Sequence, residues 1–312
     1  MDYPFLYDAK AGLTTLRDPM IIVYHDMYYL TGTQAPYWEG PNEGVRLWRS
    51  RDLKNWENLG LILKRADLKE DFWGIDRFWA PELFVSPGGK VFLTFGSRNS
   101  SEKYPHEHGV GLAVAEKPEG PYTLITTDEP ISRPGLLGND ATLFTDGDGT
   151  VYLGYTAEKE PGDPPDGCNK LTLSVFDENT YRLSDTRTVC YCGKEGEWDH
   201  IGIEGQCIVR RNGQLYMWYS SWTRGYEAGI LNAKTMRGEW VKNPGNPVLS
   251  EGKTWHRAGH NHSFRALDGR DYISFHAELK DPSAGPDDGY AERVFIRPVE
   301  YLPDGGVKIL ED

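Results

Sequence analysis

Apolar residues along this 312-residue chain come in short runs, each headed by a polar or charged residue, and the arrangement recurs five times. The segments are RDPMIIVYHDMYYLTG, APELFVSPGGKVFLTFG, NDATLFTDGDGTVYLGY, IEGQCIVRRNGQLYMWY and GHNHSFRALDGRDYISFH. In each, a short apolar run leads into a tight turn and then an aromatic-rich run. Runs of this length with β-branched and aromatic residues read as strands, and the turns SPGGK, DGDGT, RNGQ and LDGR carry hairpin chemistry. The heads are Asp18, Glu82, Asp140, Glu204 and His260, at intervals of 64, 58, 64 and 56 residues.

Weaker strand patterns follow each hairpin, such as GVRLWRS and NWENLGLIL in the first unit and GVGLAVAE and GPYTLI in the second. About four antiparallel strands per unit is the size of a propeller blade. The pattern therefore predicts an all-β, five-bladed β-propeller filling residues 1–312 as a single domain. The expected blades are roughly 14–70, 78–128, 136–190, 200–245 and 256–312. A β-sandwich is the competing arrangement, which the regular interval between heads disfavours. Periodic helical patterns are absent.

Composition narrows the partners. The net charge of −13 argues against nucleic acid and anionic membranes, both of which need clustered Lys and Arg. No apolar run reaches the length of a membrane span. The N-terminus MDYPFLYDAK has neither a basic nor an apolar leader region, so a cytoplasmic location is expected unless a signal has been removed. A neutral small molecule or an oligosaccharide remains as partner; oligomeric state is unreadable. The four cysteines, Cys168, Cys190, Cys192 and Cys207, lack zinc spacing and read as buried or incidental thiols, with a disulfide or metal role as the alternative.

In a propeller the first strand of each blade lines the axis, so the five heads would converge on one funnel. Four carboxylates crowded together raise one another's pKa values, which suits acid catalysis. Each head also has a plain reading. Asp18 before Pro19 suits a turn, Glu82 could pair with Arg77 or Arg98, Asp140 suits an Asx-turn, and His260 suits a buried imidazole. Glu204, between Ile203 and Gly205, has the least local explanation. A ring of carboxylates suits glycoside hydrolysis. The inverting form needs a protonated carboxyl and an ionised one about 6.5–9.5 Å apart.

These stretches, together with RLWRSRDLKNWENLG, GPYTLI, GHNHSF and the closing ERVFIRPVEYLPDGG, resemble glycoside hydrolase family 43 over nearly the whole chain. The resemblance implies five-bladed enzymes acting on arabinose- and xylose-containing glycans by inversion. By it, Asp18 looks like the general base, Glu204 like the general acid and Asp140 like the residue that orients the acid and tunes its pKa. Glu82 then supports the substrate site, and Arg293 resembles an arginine that reaches the sugar. His260 matches a histidine lying near the axis beside a calcium ion or a water cluster. No cofactor is required for the chemistry, and a structural calcium is the one the resemblance admits. Ala141 and Gln206 stand where many members have proline.

Sugar rings stack on aromatic faces. Trp38, Trp73, Phe78 and Trp222 are the expected platforms, while Trp56 and Trp79 suit packing. The pair His260 and His262 shares a strand face, which does not make a helical zinc motif. The expected activity is exo-acting α-L-arabinofuranosidase or β-xylosidase. Arabinanase or galactan-active chemistry and a non-catalytic sugar-binding propeller are the alternatives. A retaining fructan-type enzyme would need an Asn-Asp-Pro motif, which is missing. Arg17 is left open, as a balance for the carboxylates or a pair at the rim.

Overall fold

The structure, a computed structural model, describes residues 3–101, 108–132, 138–157 and 169–310. The acidic stretch GDPPDGC, with Cys168, lies outside the described residues. Five four-stranded antiparallel sheets form the blades of the expected propeller. Blade one holds β1 (Arg17–Tyr24), β2 (Met27–Thr33), β3 (Gly44–Ser50) and β4 (Trp56–Lys64). Blade two holds β5 (Trp79–Val85), β6 (Val91–Ser97), β7 (Gly109–Ala115) and the two-residue β8 (Thr123–Leu124). Blade three holds β9 (Gly138–Thr145), β10 (Val151–Ala157), β11 (Lys170–Asp177) and β12 (Arg182–Cys192). Blade four holds β13 (Glu204–Arg211), β14 (Gln214–Ser221), β15 (Glu227–Ala233) and β16 (Val241–Lys242). Blade five holds β17 (Trp255–Arg265), β18 (Asp271–Leu279), β19 (Glu292–Tyr301) and β20 (Val307–Ile309). The first strands touch one another in a closed ring, β1 to β5, β9, β13, β17 and back to β1.

The core is five wedges, one at each blade–blade junction, and their residues explain the sequence pattern. Leu215, Met217 and Tyr219 of β14 pack toward blade three with Leu171, Leu173 and Ile203. Tyr216 and Trp218, the residues between them, pack toward blade five with Ile273, Phe275 and Phe295. Alternate side chains of a strand point to opposite faces, and here both faces are buried. The second strand of each hairpin is therefore buried along most of its length and mostly apolar, as in Leu215–Tyr219. The remaining junctions repeat the scheme, with Leu47, Leu83 and Phe95 between blades one and two, and Leu112, Leu153 and Phe176 between blades two and three. Each large apolar side chain so buried contributes about 1.5–3 kcal/mol.

The N-terminal segment seals the junction of blades five and one. Leu6 bonds to Val294 of β19, and the Trp48 indole and Asn58 amide both donate to the Ala11 carbonyl. Leu13, Leu16, Ile21 and Trp56 fill that wedge with Phe264. The hairpin β13–β14 turns on Asn212 and Gly213, both left-handed at φ 50° and 75°, the geometry its Asn-Gly pair favours. Cys190 and Cys207 are free thiols. Cys192 is disulfide-bonded, which corrects the expectation of incidental thiols at that position.

Candidate active site

Every inner strand breaks its ladder at the same place. In β1 the pairs Arg17–Thr33 and Met20–Thr31 set three residue steps against two. The same bulge falls between Trp79 and Glu82, Glu204 and Cys207, and Gly259 and His262. In β9 it falls between Asn139 and Thr142, opposite Thr156 and Gly154. The residue after the first pair is left-handed in all five strands: Asp18 (φ 52°), Ala80 (41°), Asp140 (49°), Gly205 (67°) and His260 (45°). For a non-glycine residue this costs on the order of 1–2 kcal/mol, so the surroundings must hold it.

They do so with side chains from neighbouring blades. Asp18 N–H donates to His276 Nδ1 at 3.1 Å, Ala80 N–H to Thr33 Oγ1 at 2.7 Å, and His260 N–H to Ser220 Oγ at 2.7 Å. Thr33, Ser220 and His276 occupy the same place in their blades, on the second strand opposite the start of the bulge. At Gly205 the N–H goes instead to Asp140 Oδ2 at 3.0 Å. A Cβ on Gly205 would sit 3.1 Å from the His260 ring.

The bulge corrects the equivalence of the five heads. Asp18, Asp140 and His260 are equivalent; Glu204 stands one residue earlier and Glu82 two residues later. The outer ring of the funnel is thus Arg17, Trp79, Asn139, Glu204 and Gly259, and the next is Asp18, Ala80, Asp140, Gly205 and His260. Glu82 belongs to a deeper ring with Met20, Thr142, Cys207 and His262. It lines a cavity of about 300 Å³ with Met20, Leu143, His262 and Phe264. Burial pushes the Glu82 carboxyl up to about 8, against a hydrogen bond from Thr142. Burial also lowers His262 to about 4, so its imidazole is neutral.

Asp18, Asp140, Glu204 and His260 do come together. His260 Nδ1 lies 3.1 Å from Asp18 Oδ1 and 3.8 Å from Asp140 Oδ2. Asp140, Glu204 and His260 each offer an atom within 4.8 Å of the others. Thr33 donates to Asp18 Oδ2 at 2.5 Å. Glu204 Oε1 accepts two hydrogen bonds, from Trp222 Nε1 and Tyr226 Oη, each 2.9 Å long. Burial raises the Glu204 carboxyl above its ordinary value, against His260 and these two donors. Asp140 is raised well above its ordinary value by burial first and then by the charges of Glu204 and Asp18. Two carboxylates this close in a buried site resist a second ionisation.

Calcium takes six to eight oxygen ligands. Asp140, Glu204 and His260 are close enough together to hold a metal ion. Asp140 Oδ2 and Glu204 Oε1 accept hydrogen bonds from Gly205 N–H, Trp222 and Tyr226, so these three side chains would supply only part of a calcium ion's ligand set.

The expected substrate contacts divide. Trp38 is 53% exposed, and its ring lies 5.3 Å from the Arg17 guanidinium, at the funnel mouth. Trp222 holds Glu204 and flanks the same guanidinium at 5.4 Å. Trp73 is instead a wedge residue between blades one and two, with its indole N–H on the Thr126 carbonyl at 2.7 Å. Phe78 is buried in that wedge too. Arg293 is buried, paired with Asp288 at 2.6 Å and bonded to the Thr14 carbonyl. A buried pair of this kind leaves no arm for a sugar. Trp79 sits in the outer ring near Trp38, at 6.4 Å, outside the apolar wedges. Trp56 does pack between blades.

Arg17 is answered by the same geometry. It pairs with Glu292 at 2.9 Å, and the rings of Tyr37, Trp38, Trp222 and Tyr226 surround its guanidinium at 5.3–5.8 Å. Sequence reasoning missed His276, Tyr226, Thr33 and Ser220. Aligning the second strands on the bulge would have picked out His276 beside Thr33 and Ser220; Tyr226 has no local signal.

The model of the family described as glycosyl hydrolases family 43 matches residues 13–307. Xylosidase/arabinosidase 43B of Humicola insolens is 26% identical over 267 residues, covering 82% of this chain and 46% of that protein. A thermostable family-43 glycoside hydrolase superposes with a TM-score of 0.80 at 27% identity, over 96% of this chain and 94% of the other. An endo-1,4-beta-xylanase from Bacteroides thetaiotaomicron VPI-5482 superposes with a TM-score of 0.76 at 25% identity, covering 100% and 97%. The chain spans about half the length of the curated relatives it matches.

Proposed function

The chain belongs to glycosyl hydrolase family 43, and from that premise we propose that it hydrolyses arabinose- or xylose-containing oligosaccharides with inversion. Asp18 is the base, Glu204 the acid, and Asp140 the carboxyl that keeps a proton on Glu204. The observation that carries this reading is the pair of donors on Glu204 Oε1. An oxygen that accepts two hydrogen bonds is the unprotonated one, so the acidic proton belongs on Oε2, toward the funnel.

In the reaction Asp18 takes a proton from water as the water oxygen bonds to the anomeric carbon. The glycosidic bond breaks on the opposite face, and Glu204 Oε2 gives its proton to the leaving oxygen. General acid and general base help of this kind is worth about 10²–10⁴ in rate each. His260 acts here as the close polar partner of Asp18, with its Nδ1 3.1 Å from Asp18 Oδ1. Trp38, exposed at the mouth, supplies a face for the sugar beyond the scissile bond. Exo-acting α-L-arabinofuranosidase or β-xylosidase is the activity proposed; the name of the Humicola relative joins these two sugars.

The test is hydrolysis of aryl α-L-arabinofuranoside and aryl β-xyloside by wild type, Asp18→Asn and Glu204→Gln, with NMR of the first anomer released. Inversion by wild type and loss in both variants is expected. Equal rates in all three would remove the assigned roles, and a retained anomer would remove the single displacement.

A further inference from the structure

Tyr226 links the two catalytic halves. It starts from the loop before β15 in blade four and crosses in front of blade five. Gly259 makes that crossing possible. It occupies in blade five the place that Arg17 and Glu204 hold in theirs, and a Cβ there would lie 2.7 Å from the Tyr226 ring. With no side chain in the way, the ring reaches His276, on which it stacks at 5.1 Å and 24°.

His276 pairs with Gly259 in register and accepts the Asp18 N–H through Nδ1. It must be neutral to accept. Burial, Arg17 and His260 all push its pKa well below the ordinary value. On its other side Tyr226 packs against Trp222, at 4.1 Å, and donates through its hydroxyl to Glu204. One buried side chain thus touches Glu204 and the imidazole that fixes Asp18.

We propose that Tyr226 is a positioning residue that couples the acid to the base. Its hydroxyl sets the Glu204 carboxyl with the proton on Oε2, and its ring seats His276 and through it the strained Asp18 backbone. The proposal rests on the assignment of Glu204 and Asp18 above. The hydroxyl and the ring have separable consequences, which gives the test.

Tyr226→Phe keeps the ring and removes only the hydroxyl. On the sugar that wild type cleaves, kcat for a phenyl glycoside should fall about 10-fold or more, with KM within about 2-fold. A 2,4-dinitrophenyl glycoside needs little protonation, and its kcat should fall less than about 3-fold. The basic limb of the pH profile should move to higher pH, because a donor to a carboxylate favours the ionised form. The ionisable groups facing Glu204 are Asp18 from β1, Asp140 from β9, His260 from β17 and Tyr226 itself, so only the last changes. Tyr226→Leu removes the ring as well and should add, beyond the Tyr226→Phe losses, a further loss that falls on both glycosides alike.

Tyr226→Phe with an unmoved limb, or with equal losses on both glycosides, would overturn the proposal. So would Tyr226→Leu behaving like Tyr226→Phe. Failure of the underlying assignment looks different: wild type itself would leave the glycosides intact, or Glu204→Gln would stay active.

Discussion

Gly205 donates its backbone N–H to Asp140 Oδ2 at 3.0 Å, so the peptide directly after Glu204 is tied to a buried carboxyl of the neighbouring blade. In the proposed mechanism Asp140 does two things. It fixes the strand carrying Glu204, and its carboxyl, coupled to that of Glu204, makes a second ionisation in the site unfavourable. Asp140→Asn keeps an acceptor for Gly205 and removes the charge. The basic limb of kcat/KM should then move to lower pH, since Glu204 loses its proton more readily without a like charge beside it. A limb unmoved by the substitution would deny Asp140 its electrostatic role.

Thr33 gives a second prediction. Its hydroxyl donates to Asp18 Oδ2 and accepts from Ala80 N–H, joining blades one and two beneath the base. Thr33→Val keeps the shape and leaves the buried Ala80 N–H unpaired. Stability in urea should fall by about 1–3 kcal/mol. Activity of the folded enzyme should fall on good and poor leaving groups alike, because the loosened residue, Asp18, is the proposed base. A loss confined to poor leaving groups would place Thr33 on the acid side instead.

Much of this architecture was legible in the chain because the second strand of every blade is largely buried on both faces. Continuous apolar runs such as Leu215–Tyr219 follow from that, and so do the turns between them. The repeat holds Asp18, Asp140 and His260 in register, and the structure brings them together. Glu204 joins them although it is one residue out of register, and Glu82 lies two residues out for the same reason. A one-residue bulge changes which side chain faces the funnel but barely alters the spacing of anchors. Trp73 and Arg293 show the other limit. A tryptophan in an acidic stretch reads like a platform until its indole partner, Thr126, is known. A last-blade arginine reads like a sugar ligand until Asp288 is seen beside it. Tyr226 and His276 meet only across Gly259, a contact that no local pattern announces.

The tryptophans give a paired test of surface against wedge. Trp38→Ala removes an exposed ring and should raise KM for an oligosaccharide several-fold, roughly the 0.5–1.5 kcal/mol of an aromatic contact. Its melting temperature should be unchanged. Trp73→Ala removes a buried ring and the bond to Thr126, and should cost about 3–5 kcal/mol of stability. KM of the folded Trp73→Ala enzyme should stay at the wild-type value. A higher KM in Trp73→Ala and none in Trp38→Ala would reverse the assignment of the two rings.

Glu82 predicts a pH-dependent stability that has no part in catalysis. Its carboxyl has a folded pKa of about 8 against an ordinary value of 4.5, and burial is the cause. The folded chain therefore holds a proton that the unfolded chain releases. This contribution is fully present below pH 4.5 and is lost as pH rises toward 8. Linkage across that window amounts to about 2–4 kcal/mol for a group that lines a cavity. Glu82→Gln stays neutral throughout and mimics the protonated form with its Thr142 bond. It should match wild type in stability near pH 4.5 and exceed it increasingly toward pH 8. The measurement is the difference in urea midpoint between the two proteins at each pH, which cancels every other titrating group. A constant difference across the window would mean that Glu82 is already ionised in the folded chain and that the cavity is wet enough to solvate it.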